Sequence, residues 1–432
     1  MNTTAPGIAA PLSVTDFLED LAERGVRIGR KGEKLAVSAP EGVLTPELAD
    51  TIRAHREEVL RFLREHEQEE ARRGVRMERV DRTRPIPASY AQHRLWLVEQ
   101  TGTDLPVYNM YFVNKLRGDV DVAALRGAVE DVVRRHEVLR TSLAETADGL
   151  EQRIDADCGA AFTTHEAAGP DELDRLVFSL VTTRFDLSKA PLARFDLIRT
   201  GPEQWTFVVT QHHVMSDGWS ANLLKREISE LYAARRAGRV PELPELPVQY
   251  ADYAVWERGW LGSELAEEQR EFWRTTLAGL PPSLDLVPGR RRDAVQSYRG
   301  EGFDFHYGAE TLARVRALCE ETGATHYSVL MAVYSFLLSR MTGQDDVAVG
   351  SPLANRPYPV LENTFGLFFN SITLRSRVEA DLTVREFLTR TRQAAFDAFT
   401  HQDLPFDQVV QAVAPDRTLS RSEERRVGKE CQ

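Results

Sequence analysis

His212-His213-Val214-Met215-Ser216-Asp217-Gly218 is the stretch around which the chain is organised. It follows a run with strand character, Trp205-Thr206-Phe207-Val208-Val209-Thr210-Gln211. It precedes a run of helical period that begins near Ser220 and carries Ala221, Leu223, Leu224, Ile228 and Leu231. A strand ending in paired histidines, a short turn with Asp-Gly and then a helix can hold an imidazole in place. The strand fixes the backbone and the glycine permits a sharp exit. Histidine is also the side chain whose ordinary pKa suits proton transfer near neutrality. A lone His-His pair is more often a core or surface feature than a site, so the rest of the chain decides the reading.

The bulk properties exclude several classes. At 432 residues the chain exceeds one simple core, and two or three folding units are expected. Hydrophobic content of 42% and charged content of 28% are those of a globular protein. A net charge of −12 argues against nucleic acid as the main partner. No apolar run reaches the roughly 18 residues that would span a membrane, and the N-terminus has no signal-peptide pattern. Cys158, Cys319 and Cys431 are far apart. They form neither a disulfide framework nor a metal site, which fits a reducing cytoplasm. No Walker-type or dinucleotide-binding glycine loop is present.

Residues 1–12 are expected to be disordered. Ser13 offers an N-cap with Asp16 three residues on, and Phe17, Leu18 and Leu21 give a helix to about Arg24, stopped by Gly25. Val26–Gly29 and Lys34–Ser38 read as a small hairpin around Arg30-Lys31-Gly32-Glu33. Thr45-Pro46 opens a helix running through Leu48, Ile52, Val59, Leu60 and Leu63 towards His66. This unit, 13–66, is small enough to gain stability from a partner. Residues 67–84 read as a charged linker, and Pro85 and Pro87 mark the next start.

Beyond it, strands are expected at 111–116, 191–199 and 204–211, with helices at 121–135 and 220–235. A proline-rich connection then leads to one helix carrying Trp260 and Trp273. A polar joint at Pro281-Pro282 and Gly289–Arg292 separates a second lobe. There a strand near 302–306, a helix over 309–322, a strongly apolar helix over 327–341 and a buried-type strand over 346–352 are expected. His136 and Glu137 could form a catalytic pair, yet their place at a helix end reads as structural.

The spacing His-His-x-x-x-Asp-Gly resembles the signature of condensation domains from nonribosomal peptide synthetases, and shorter His-x-x-x-Asp versions occur in acyltransferases such as chloramphenicol acetyltransferase. Five other stretches resemble motifs of that family in the right order: Ser89–Trp96, Arg135–Thr141, Gln249–Trp256, Asn355-Arg356 with Phe365–Ser371, and His401–Asp407. The resemblance implies an α+β fold of two chloramphenicol acetyltransferase-like lobes in a V-shaped pseudodimer, with an N-lobe over 85–285 and a C-lobe over 286–420. It implies that His213 is the catalytic residue, facing a tunnel between the lobes, with His212 packed behind it. The residues alone leave open whether Asp217 orients His213 as in a triad. The family implies instead a structural ion pair with Arg356. Gly218 would bring a backbone N–H near a developing oxyanion, and Trp219 and Asn370 would line or support the tunnel.

The implied reaction is amide formation between two thioesters carried on the 4'-phosphopantetheine of partner carrier domains, one upstream and one downstream. The chain itself would bind no cofactor and no metal. The first motif resembles the subtype taking an L-configured donor. Alternatives are an epimerization domain, a CoA-dependent acyltransferase of the same superfamily, or an inactive fragment that acts only by docking. Epimerization domains commonly show Ser-Trp where this chain has Trp219-Ser220, which favours condensation.

The helix–hairpin–helix order of 13–66 resembles the TubC-like N-terminal docking domain. That family captures an acidic C-terminal tail of an upstream synthetase by strand addition, and Arg27, Arg30, Lys31 and Lys34 would suit such a tail. A homodimer through this unit is a further expectation. Residues 421–432 resemble the in-frame translation of a sequencing-library adapter, implying an incomplete C-lobe and a natural chain that continues past about 420.

Overall fold

The computed structural model describes residues 17, 21, 26–31, 34–39, 43–61, 77–100, 105–281, 284, 286 and 300–413. The expectations for 1–12, for the Ser13 cap, for 67–76, for 287–299 and for 421–432 lie outside the described residues. Two compact units emerge: one of residues 1–76, 304–332 and 383–392, the other of 77–303, 333–382 and 393–432.

In the first unit, β1 (Arg27–Lys31) and β2 (Lys34–Ser38) form the expected hairpin, with Arg27 opposite Ser38 and Lys31 opposite Lys34. Helix α1 (Pro46–Ala54) starts at Thr45, whose hydroxyl accepts the Leu48 N–H at 3.3 Å. It does not run unbroken to His66. It ends at Ala54, His55 makes a turn against the Phe17 ring, and helical backbone resumes over 56–61. Phe17, Leu21, Val26, Leu48, Ile52 and Val59 form a small core.

The second unit opens with residues 77–84, the tail of the expected linker, and these are docked rather than free. Arg82 donates to both oxygens of Asp252 at 2.6 and 3.1 Å and to Glu137 at 2.9 Å. Then come β3 (Ile86–Pro87), α2 (Tyr90–Gln100), β4 (Asn109–Arg117), α3 (Val122–Arg135), β5 (Thr141–Thr146), β6 (Gly149–Ile154), β7 (Ala161–Glu166), α4 (Pro170–Thr182), β8 (Ala193–Gly201), β9 (Gln204–His212) and α5 (Gly218–Ala237).

The main sheet has the order β4-β9-β8-β7, antiparallel except for the parallel pair β7–β8. Its inner strands are buried along most of their length, so they read as apolar runs rather than as alternation. Leu173, Leu176, Val177 and Leu180 of α4 pack against Ile198 and Val208. Helix α5 is closed by Gly238, whose φ of 64° is the left-handed conformation a helix C-terminus favours.

The expected single helix with Trp260 and Trp273 is two: α6 (Tyr250–Trp260) and α7 (Glu264–Thr276). The break at Leu261–Ser263 is set by Ser263, whose hydroxyl accepts the Ala266 N–H at 3.2 Å and starts a new helix. The expected strand at 302–306 is absent. Phe303, Phe305 and Tyr307 stand exposed, and no neighbouring strand pairs with them among the described residues. Aromatic alternation without a ladder partner does not make a strand.

Next come α8 (Ala309–Thr322), α9 (His326–Thr342), β10 (Asp346–Leu353), β11 (Asn370–Arg377), α10 (Val384–Thr400) and α11 (Phe406–Val413). Strands β10 and β11 pair antiparallel, with Leu353 opposite Asn370. Of β10 only Val347 and Ser351 are buried, less than its composition suggested. Helix α9 buries Val329, Ala332, Ser335, Leu338 and Ser339 and exposes Leu330, Tyr334, Leu337 and Met341. No described helix is long and apolar enough to cross a membrane.

Candidate active site

Strand β9 delivers two imidazoles to its end. The His212 N–H donates to the Leu192 carbonyl at 3.0 Å and the His213 N–H to the Tyr108 carbonyl at 2.8 Å. His212 is buried, and its Nδ1 accepts the Val214 N–H at 3.1 Å. Its proton therefore sits on Nε2, which faces Glu99 Oε1 at 3.4 Å. Glu99 also receives Arg184 at 3.1 Å. Burial works to raise the Glu99 carboxyl, but His212 and Arg184 outweigh it and hold it below its ordinary value.

His213 has the opposite tautomer. Its Nδ1 lies 2.7 Å from the Ser216 carbonyl, which can only accept, so Nδ1 carries the proton and the Nε2 lone pair is available. Burial pulls the His213 pKa below its ordinary value, against the pull of the Ser216 carbonyl and the Asp217 charge. The ring is thus neutral at pH 7, as a proton acceptor must be.

Asp217 caps α5. Its Oδ1 accepts the Ser220 N–H at 2.8 Å and its Oδ2 the Phe368 N–H at 3.0 Å. Arg356 Nη2 lies 3.5 Å from Oδ1, with both side chains almost wholly buried. Arg356 further donates to the carbonyls of Leu361 and Thr364 and to Ser220 Oγ, at 2.6, 2.5 and 2.8 Å. Its guanidinium lies over the Phe368 ring at 4.0 Å. Since His213 Nδ1 is taken by the Ser216 carbonyl, Asp217 faces the scaffold and not the imidazole.

Gly218 is exposed at the first position of α5. It has no left-handed φ, and a Cβ built there would meet nothing within 4 Å. The sharp exit expected of it is therefore not its role; what it leaves is open space. Trp219 donates its indole N–H to the Glu362 carbonyl at 2.9 Å and remains 45% exposed. Asn370 is consumed by backbone. It donates to the carbonyls of Gln402 and Leu404, both at 2.9 Å, and accepts the Phe406 N–H at 3.0 Å.

The structure separates the other candidate pair. His136 meets Glu227 of α5 at 2.7 Å, and both are buried. Glu137 instead pairs with Arg82. Arg27, Arg30 and Lys31 lie on β1 and Lys34 opens β2; their side chains lie outside the described residues. Among the described residues no cluster of His, Cys, Asp or Glu is placed to hold a metal ion.

Several participants were not singled out from sequence. Ser220 Oγ donates to the Gly366 carbonyl at 2.7 Å and accepts the Gly366 N–H at 3.1 Å. Tyr250 donates to the Leu367 carbonyl at 2.7 Å and receives Ser89 at 2.7 Å. Both lie in or beside recognised motifs, and that is the signal that could have found them. Phe369, whose ring lies edge-on to His213 at 6.2 Å, is of the same kind. Glu99 carried no signal, since its partner is 113 residues away.

Residues 83–423 match the family model described as Condensation domain, and residues 14–65 the one described as TubC N-terminal docking domain. Malpinin synthetase of Mortierella alpina is 35% identical over 347 residues, covering 79% of this chain and 4% of that protein. Phosphinothricin tripeptide synthetase PhsC of Streptomyces viridochromogenes is 36% identical over 352 residues, covering 80% of this chain and 32% of that protein. The chain thus spans under a third of the length of either.

Among solved structures, the X-domain from teicoplanin biosynthesis, seen in complex with OxyB, superposes with a TM-score of 0.74 at 31% identity, covering 80% of this chain and 77% of that one. The condensation domain from Monacolin K polyketide synthase MokA, at 23% identity, shares the fold with a TM-score of 0.65, covering 76% of each chain. The α+β, chloramphenicol acetyltransferase-like fold expected from the motifs is the fold of this chain.

Proposed function

The chain belongs to the condensation-domain family, and from that premise we propose that it forms an amide bond between an upstream carrier-bound acyl or peptidyl thioester and a downstream carrier-bound aminoacyl thioester. The observation that carries this reading is the neutral His213, its Nδ1 proton fixed on the Ser216 carbonyl at 2.7 Å and its Nε2 left basic.

A thioester is already activated, so the work is positioning, one proton and one oxyanion. The acceptor nitrogen attacks the thioester carbonyl while His213 Nε2 takes its proton. The tetrahedral oxyanion forms beside the N-terminus of α5, where the Gly218 N–H is one of the first-turn donors that have no intrahelical acceptor. Collapse breaks the C–S bond, and the departing thiolate recovers the proton from His213. Positioning contributes about 7–11 kcal/mol and the base about 10²–10⁴-fold. Asp217 and Arg356 hold the scaffold.

The resemblance of Ser89–Trp96 supports an L-configured donor. Residues 14–65 dock the C-terminal tail of an upstream synthetase, the substrates arrive on phosphopantetheine arms, and the well-separated cysteines suit the cytoplasm.

The test supplies donor and acceptor thioesters on loaded carrier domains to the full chain and to His213→Ala. Amide product is expected to fall by about 10²-fold or more with an unchanged melting temperature. Product at the unsubstituted rate would overturn the assignment.

A further inference from the structure

The wall beside His213 is pinned residue by residue. Both backbone groups of Gly366 bond to Ser220 Oγ, the Leu367 carbonyl accepts from Tyr250, and the Phe368 N–H donates to Asp217. Asn370 ties three backbone groups of the 402–406 segment. Leu367 and Phe368 are buried, Phe368 against the Tyr250 and Tyr253 rings and under the Arg356 guanidinium. Phe369 alone in this run is half-buried and free of such a bond.

Its ring has two neighbours of different kinds. On one side lies the His213 ring, 6.2 Å away and at 63°. On the other, Phe369 lines a small recess with Arg94, Glu257, Asn355 and Asp407. Held by a rigid backbone, the ring can change position only by rotating its side chain, and a rigid wall discriminates by size.

We infer that Phe369 is a specificity-determining residue: its ring limits the bulk of the aminoacyl or acyl group that can stand beside the His213 imidazole. The inference rests on the acyl-transfer reading of His213. It adds which residue sets the substrate range and in which direction. Groups small enough to share the space with a phenyl ring are accepted, and larger ones are refused until the ring is removed.

The experiment uses the full chain, Phe369→Ala and Phe369→Leu, each checked by thermal melting. Pantetheine thioesters of glycine, alanine, leucine and tryptophan are supplied in two panels, varied first as donor against a fixed acceptor and then as acceptor against a fixed donor. In at least one panel Phe369→Ala should raise the ratio of kcat/KM for tryptophan over alanine by about tenfold or more, with Phe369→Leu between. Ratios within about twofold of the unsubstituted chain in both panels would overturn the inference.

NMR titration of His213 supplies a readout independent of turnover. Phe369→Ala should move its pKa up towards the ordinary histidine value, because the ring that helps shield it is gone. An unmoved titration would place the ring away from the imidazole's surroundings and overturn the inference on its own. Absence of amide product from the unsubstituted chain would instead overturn the acyl-transfer reading, and the inference with it.

Discussion

The phenol ring of Tyr250 occupies the space in which a side chain at Gly366 would begin, and its hydroxyl bonds the carbonyl of the next residue, Leu367, at 2.7 Å. The glycine is there for close approach, not for an unusual φ. Gly366→Ala must displace a fully buried ring. A loss of about 1–3 kcal/mol in urea denaturation is expected.

Gly218→Ala provides the contrast. Its added methyl meets no protein atom, so its unfolding midpoint should equal or slightly exceed that of the unsubstituted chain. Its turnover with carrier-bound thioesters should fall, because the open space at 218 is where the oxyanion is proposed to form. Unchanged turnover would remove Gly218 from the site.

Asp217→Ala leaves the buried Arg356 charge short of its counter-ion and the Phe368 N–H without its acceptor. A loss of about 3–5 kcal/mol is expected. Arg356→Ala should cost a similar amount, and the double variant clearly less than the sum, since the two act in one network. Additive losses in chemical denaturation would show the pair to be uncoupled.

Glu257 is buried, accepts from the Tyr90 N–H at 2.9 Å and from the Tyr253 hydroxyl at 3.2 Å, and is pushed up to about 7 by burial, with Arg258 opposing and Asp407 assisting. A raised folded-state pKa stabilises below the unfolded value, and that stability is lost as pH rises through about 7. The span is worth about 3 kcal/mol. Melting should therefore weaken between pH 5 and 8, and Glu257→Gln should flatten that slope. An identical slope in the variant would exclude Glu257 as its source.

His213 carries the opposite sign. Its lowered pKa contributes stability that is present above the unfolded value of 6.5 and is lost as pH falls through the lower folded value. The acid limb of kcat/KM should accordingly lie below pH 6.5. A limb at or above 6.5 would show that the imidazole is not held neutral by burial.

Most of the fold was legible because its elements carry local signals. Thr45-Pro46 capped a helix where expected, the apolar runs of β8 and β9 became inner strands, and the amphipathic stretch after Asp121 became α3. The failures were of two kinds. A strand needs a paired strand beside it, and none pairs with 303–305 among the described residues. A helix can also restart on a single serine, as at Ser263. The hairpin β5–β6 and the parallel partner β7 were overlooked, since partly exposed strands of mixed polarity have no distinctive pattern. At the site, the histidines and Asp217 were legible as a motif. Glu99 was not, because its role arises from a partner brought to it by the tertiary fold.

The two imidazoles at the end of β9 differ in tautomer, partner and burial, yet adjoin in sequence. What separates them is the parity of the strand. Register with β4 sets His212 opposite Asn109, and the next residue begins the turn. Deleting one residue from β9 with its register to β4 kept would carry His213 into the place of His212 and His212 into that of Gln211. Every side chain of the motif would survive, but no imidazole would stand where His213 now does. A one-residue deletion within β9 is therefore expected to displace His213 as surely as a substitution removes it.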